Sequence, residues 1–218
     1  MSGSLKTGLP DRLAHDLRGP LAPLQTAVYL LRTGQLDDAR REELHDLLDR
    51  QAKRLGGMID ELDDWLRAGQ DRLVAATTRV EPVQLLEVAM TRADCAGGEP
   101  PDIDDDSLLA VVDGDQRRLV QVLRTLLDHA RAHAGGTPPR VRVRGDGSQV
   151  LLDVIAAGGP VGDVEALFSQ PLPHPGEDSL GLRLLIAHAI TRAHGGSLDA
   201  ADEDGHLRLR CALPLAAA

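Results

Sequence analysis

The sequence predicts an α+β chain: an N-terminal antiparallel helical hairpin followed by a two-layer α/β sandwich. Three observations carry this expectation. Residues 11–68 hold two leucine stripes at helical spacing, separated by a short break at Gly34. Residues 79–215 alternate short strand patterns, several of them adjacent as hairpins, with helical patterns. Trp65, Tyr29 and Phe168 are the only aromatics, so the core is built from Leu, Val, Ile and Ala, which suits helices packed on helices or on a sheet. With 218 residues, 42% of them hydrophobic, there is material for one large or two modest domains.

The first stripe runs Leu13, Leu17, Leu21, Leu24, Val28 and Leu31. Gly34 then stops the helix, and Asp37 or Asp38 caps the next. The second stripe is Leu44, Leu48, Gln51, Leu55, Met58 or Ile59, Leu62 and Leu66. Both are narrow, of the kind that seeks a coiled-coil-like partner, and two short-linked helices pack antiparallel. A two-fold dimer completes a four-helix bundle; packing on the rest of the chain is the alternative. Beyond Gly69, Val80–Val83 reads as a short strand and Gln84–Arg92 as a helix. The Gly-, Pro- and Asp-rich run 95–107 reads as a loop with one short strand in it. Leu108–Val112 reads as a strand and Asp115–His133 as a strong helix. Arg140–Arg144 and Val150–Ile155 flank Gly145-Asp146-Gly147-Ser148 as a hairpin. Residues 158–179 are loop-rich, Leu180–His194 is a helix ending at Gly195-Gly196, and Leu198–Ala200 with Leu207–Leu213 closes the fold.

Composition narrows the function. Asp plus Glu outnumber Lys plus Arg by 34 to 24, and a net charge of −10 argues against nucleic acid or an anionic membrane as partner. Stacking platforms for single strands need aromatic faces that this chain lacks. Cys95 and Cys211 form neither a disulfide framework nor a ligand cluster. The start of the chain lacks a secretory pattern, and the stretch Leu180–Ile190 is too short and too charged to span a bilayer. The expectation is a cytoplasmic protein with no membrane segment.

The chemistry concentrates in His15-Asp16-Leu17-Arg18-Gly19-Pro20-Leu21. On the leucine wheel His15 lies nearly opposite the apolar stripe, toward solvent. An exposed neutral imidazole offers a ring nitrogen to an electrophile, and Asp16 is placed to accept the other ring N–H. Pro20 removes a helical hydrogen bond and is expected to bend the helix just after the histidine. In isolation His15 reads as an ordinary surface histidine. The segment 13–24, however, resembles the H-box of two-component sensor histidine kinases, on the first helix of a hairpin like that family's dimerisation and phosphotransfer domain. Asp115 to Ala130 resembles the N-box helix of the kinase ATP-binding domain. Ala156-Ala157-Gly158-Gly159-Pro160-Val161 stands where the G1 box belongs. Ser179-Leu180-Gly181-Leu182, opening a helix that ends His194-Gly195-Gly196, resembles the G2 box. The resemblance implies a phosphotransfer hairpin over 11–68 and an ATP-binding-type sandwich over 79–215. It makes His15 the phosphoacceptor, Asp16 its general base, and Arg18, Ala22 and Thr26 part of a receiver-docking face.

The departures from the family pattern bear on the nucleotide. The resemblance maps a degenerate site onto Asp128, His129, Ala156, Gly158, Pro160 and Gly181. A side-chain amide that would coordinate Mg²⁺ is replaced by His129, and the carboxylate that would bind adenine by Ala156. Pro160 stands for a glycine that lets the backbone approach the nucleotide, and Ser179 for the first glycine of G2. Losing a charge-assisted base contact and a metal ligand costs roughly 3–6 kcal/mol, which moves a micromolar site to millimolar or weaker. Gly19 replaces the Thr or Asn that in the family positions a hydrolytic water. His129 and His133, one turn apart, lack a third metal ligand; His174 reads as a loop residue and the run Asp102–Asp106 as a solvated acidic loop.

The reading is a histidine-kinase-like homodimer that carries a phosphoryl group on His15 and exchanges it with a response-regulator receiver aspartate. It needs no cofactor of its own in the degenerate form, and ATP with Mg²⁺ if the chain is an active kinase using His129 or Asp128. A non-catalytic adaptor that binds a kinase or receiver is the third reading.

Overall fold

The computed structural model describes residues 5–70, 72–93, 95, 97–158, 163–173, 175–176 and 178–217. Pro160, with Gly159 and Val161 of the same motif, and His174 lie outside the described residues. The chain forms two compact units. One comprises residues 1–63 with 172–182, the other 64–171 with 183–218.

The first unit is built on a helical hairpin, α1 (Leu5–Thr33) and α2 (Asp38–Ala68), whose last turns belong to the second unit. α1 begins six residues before the expected start, and it runs through Pro20 and Pro23 as one helix. Each proline withholds only its own N–H, from the carbonyls of Asp16 and Gly19, and neighbouring turns keep the helix going. The turn is closed by Gly34 N–H to the Leu30 carbonyl, and the Asp37 carboxylate caps α2 by accepting from Arg40 N–H at 2.8 Å. Leu13, Leu17, Leu24, Leu31, Leu48, Leu55 and Leu62 are half-buried and Leu44 and Met58 buried. Leu21, Val28 and Leu66 on the same stripes, with Tyr29 and Ile59 beside them, stay exposed.

In the second unit a five-stranded sheet runs in the order β2 (Asp102–Ile103), β4 (Arg140–Gly145), β5 (Gln149–Ile155), β7 (His206–Pro214), β6 (Ser197–Glu203). It is antiparallel except for the short β2–β4 pair. Alternation sets its two faces. Val141, Val143, Val150, Leu152, Val154, Leu207, Leu209 and Cys211 point inward and are buried. They meet the apolar faces of α5 (Gln116–His133) and α6 (Arg183–Ala193), with α3 (Pro82–Arg92) packed on α5. The other face carries an ion-pair lattice centred on buried Asp153, which Arg210 grips bidentately at 2.6 and 2.8 Å while Arg142 and Arg208 stand at 3.6 Å.

Three further boundaries differ from the sequence expectation. The first strand, β1 (Thr78–Val80), ends before Pro82, which occupies the first turn of α3, where its missing N–H costs nothing. The expected strand at 108–112 is instead a helical turn, α4 (Asp105–Leu108), followed by β3 (Val112–Gly114), which pairs with β1. Asp104 causes the change: its carboxylate accepts from Ser107 N–H at 2.8 Å and nucleates the turn. α6 starts at Arg183 rather than Leu180, because Gly181 adopts φ +80°, outside the right-handed helical region.

His194-Gly195-Gly196 ends α6 for a visible reason. His194 donates from Nδ1 to the Ile190 carbonyl at 2.8 Å, and its Nε2 accepts from Asp115 N–H at 2.9 Å. The ring thus ties the end of α6 to the start of α5. Gly196 passes so close to the Ala212 carbonyl that a Cβ would stand 2.2 Å from that oxygen.

Candidate functional site

α1 places its leucines along one stripe, and the 100° step per residue turns His15 away from it. The His15 side chain is 87% exposed, while that of neighbouring Asp16 is 25% exposed. His15 Nδ1 and Asp16 Oδ1 are 3.2 Å apart. An ionised carboxylate only accepts, so this contact places the ring proton on Nδ1 and leaves the Nε2 lone pair for an electrophile. Asp16 Oδ2 faces Arg12 Nε at 3.6 Å one turn back. The arrangement sets an outward ring nitrogen beside a carboxylate that has a guanidinium one turn back.

Arg18, Ala22 and Thr26 follow His15 at helical spacing and are exposed. Thr26 returns its hydroxyl to the Ala22 carbonyl at 3.0 Å, which leaves a low surface beside the imidazole. Among the described residues, a Cβ at Gly19 would meet no atom within 4 Å beyond its own turn of helix.

The second group of expected residues sits on α5 and the end of β5. Asp115 caps α5 by accepting from Arg118 N–H at 3.1 Å. Buried Arg118 donates to Asp64 at 2.6 Å and to Gln121 at 2.9 Å, and Gln121 donates to the other Asp64 oxygen at 2.7 Å. Asp128 is half-buried and turned toward Arg124, whose Nε lies 3.4 Å from its carboxylate. Burial raises the Asp128 carboxyl above the ordinary range, against the pull of Arg124 and Arg183. Burial, helped by His133, lowers His129 to about 4, so its ring is neutral at pH 7. His133 Nε2 is buried without a partner. Among the described residues no cluster of three or more His, Cys, Asp or Glu is fit to hold a metal ion. Ala156 is fully buried at the end of β5, its N–H given to the Leu207 carbonyl at 2.9 Å. Its methyl offers no acceptor for a base, and neutral His129 offers nitrogen where Mg²⁺ prefers oxygen. Gly158 follows on the same segment. Gly181 adopts φ +80°, and a Cβ there would lie 2.8 Å from the Leu172 carbonyl oxygen, so the position requires glycine.

Two charged residues that sequence reasoning passed over act within the first unit. Arg12 donates to the Leu172 carbonyl at 2.5 Å. Glu61 is buried and accepts from Ser179 Oγ and from the N–H groups of Leu180 and Leu182. Its signal was an acid one turn beyond Met58, on the apolar side of α2. The acidic run is structural: Asp102 pairs with Arg144, and Asp104 caps α4 and accepts from Gly145 N–H at 3.0 Å.

Comparison with known proteins adds to this geometry. Residues 11–70 match the His Kinase A (phospho-acceptor) domain family, and residues 114–217 match the family described as Histidine kinase-, DNA gyrase B-, and HSP90-like ATPase. Sensor protein ChvG of Rhizobium meliloti is 26% identical over 234 residues, covering 93% of this chain and 40% of its own length. The chain spans 25–40% of the length of the first curated relatives it matches. Among solved structures, the Acinetobacter baumannii histidine kinase AdeS superposes with a TM-score of 0.70 at 20% identity, covering 93% of this chain and 98% of AdeS. Histidine kinase ThkA, solved in complex with response regulator protein TrrA, gives 0.72 at 19% identity, covering 98% of this chain and 63% of ThkA. No helix among the described residues is long and apolar enough to cross a membrane.

Proposed function

Because this chain belongs to the two-component sensor histidine kinase family, we propose that His15 is its phosphoacceptor and exchanges a phosphoryl group with a receiver aspartate. The observation that carries this reading is the outward imidazole whose Nδ1 rests on Asp16. In the transfer the Nε2 lone pair attacks phosphorus in line; the bond between phosphorus and the aspartyl oxygen breaks and leaves a free carboxylate. Asp16 holds the Nδ1 proton and stabilises the positive charge that grows on the ring as the Nε2–P bond forms. The reverse transfer uses the same contacts. Mg²⁺ in this scheme is the receiver's, not this chain's. Arg18, Ala22 and Thr26 form the docking face, and the complex of ThkA with a response regulator supports a receiver as partner.

Residues 11–68 act as the dimerisation and phosphotransfer element, and 79–215 as an ATP-binding-like scaffold. The exposed Leu21, Val28 and Leu66 support the dimer, since the hairpin leaves them uncovered. Ala156 and neutral His129 are a poor fit to Mg–ATP, which supports the loss of nucleotide binding. ATP with Mg²⁺ would otherwise supply the phosphoryl donor for His15. The match of residues 114–217 to the ATPase family favours a second reading, an active kinase with an altered nucleotide site.

One experiment separates the readings. Wild type and His15→Ala are each incubated with ³²P-labelled receiver domains and, separately, with γ-³²P-ATP and Mg²⁺. The proposal expects acid-labile label from a receiver on wild type only, and none from ATP. Label from ATP on His15 establishes the active kinase. Receiver binding without phosphohistidine establishes an adaptor.

A further inference from the structure

Residues 172–182 belong to the first unit with the helical hairpin, and the described ones form a strap tied to it at both ends. Its ends meet through Leu172 N–H donating to the Gly181 carbonyl at 2.9 Å. The far end is fastened by Glu61 of α2. Ser179 Oγ donates to that carboxylate at 3.0 Å, Leu180 N–H at 3.1 Å and Leu182 N–H at 2.5 Å. Glu61 and Ser179 are both buried, so these charge-assisted bonds are shielded from water. The near end is fastened by Arg12 of α1, whose Nη2 donates to the Leu172 carbonyl at 2.5 Å and reaches the Pro173 carbonyl at 3.5 Å. Gly181 permits this, since a side chain there would collide with the same carbonyl.

Arg12 also touches the reactive pair. While Nη2 is held by the strap, Nε faces Asp16 at 3.6 Å, and the other Asp16 oxygen keeps His15 Nδ1 at 3.2 Å. Released from the strap, the guanidinium fork is free to take both carboxylate oxygens, the geometry it prefers. His15 then loses its acceptor.

We infer that Glu61 and Arg12 are positioning residues: the strap, latched by Glu61, holds Arg12 off Asp16 and so keeps the His15–Asp16 pair assembled. The inference deepens the reading of His15 as the working imidazole and rests on it. A protein or ligand that pulls the strap from α2 would lower His15 reactivity without touching it.

The test uses the full chain labelled with ¹⁵N. It reads the His15 tautomer ratio from ring nitrogen shifts and the hydrogen exchange of the Leu180 and Leu182 amides. Neither readout needs a phosphoryl donor, so a failed transfer assay and a failed strap are told apart. Glu61→Gln is expected to speed exchange at both amides at least tenfold and to lower the Nδ1–H to Nε2–H ratio of His15 at least threefold. Arg12→Gln combined with Glu61→Gln is expected to keep the fast exchange and restore the ratio. Exchange of β5 and β7 amides reports the fold. Should Glu61→Gln lose it, Ser179→Ala weakens the same latch and is expected to move both readouts in the same direction. Unchanged exchange, an unchanged ratio despite fast exchange, or a double variant that stays as low as Glu61→Gln each overturns the inference.

Discussion

Asp16 is a carboxylate with two claimants, the His15 ring at 3.2 Å and the Arg12 guanidinium at 3.6 Å, and what His15 can do depends on which one holds it. An Arg12 without its strap contact would compete for that carboxylate. His129 poses a different problem, because burial and the neighbouring His133 both disfavour its charged form. In the unfolded chain it takes a proton near 6.5, in the folded chain only near about 4. Below 6.5 the unfolded state therefore binds more protons, so the neutral ring's contribution is whole above that pH and fades as pH falls toward 4. The loss amounts to about 3 kcal/mol at most. His129→Asn should remove that part of the acid sensitivity, seen as urea midpoints that change less than wild type's between about pH 7 and about pH 4.5. The outward direction of His15 was legible from the leucine wheel. The partnership of Arg12 and the burial of Glu61 were not, because their partners lie 160 and 118 residues away or more.

At the scale of elements, the stripes of α1 and α2 make the most direct claim. Leu44 and Met58 are buried, yet Leu21, Val28 and Leu66 on the same stripes face water. Covering them in a two-fold bundle recovers about 25 cal/mol per Å² of apolar surface. Val28→Glu puts a charge into that seam and should convert a dimer to monomers in sedimentation velocity without loss of helix content. A wild-type chain that sediments as a monomer at high concentration would remove the dimer from the account. The strong periodic elements, α5 and the β4–β5 and β6–β7 hairpins, were readable because burial on one face dictates their pattern. The turn at α4 was not. It depends on one carboxylate finding one N–H, a contact that outweighs the apolar look of the residues that follow.

For the whole molecule, the family resemblance was legible because motifs from both units stand in the right order along the chain. What the chain does with a nucleotide was less legible, because Ala156 and His129, at positions the resemblance maps to the nucleotide site, leave the fold's pattern unaltered. On this account phosphoryl groups reach the molecule through His15 and a receiver, not through the sandwich. Which ring nitrogen takes the phosphorus follows from the Asp16 contact alone. Long-range ¹H–¹⁵N correlation of ¹⁵N-histidine-labelled chain, phosphorylated by a receiver domain, reads that directly. The account predicts a single phosphohistidine, at His15, bonded through Nε2. Phosphorus on Nδ1, or on another residue, would contradict it.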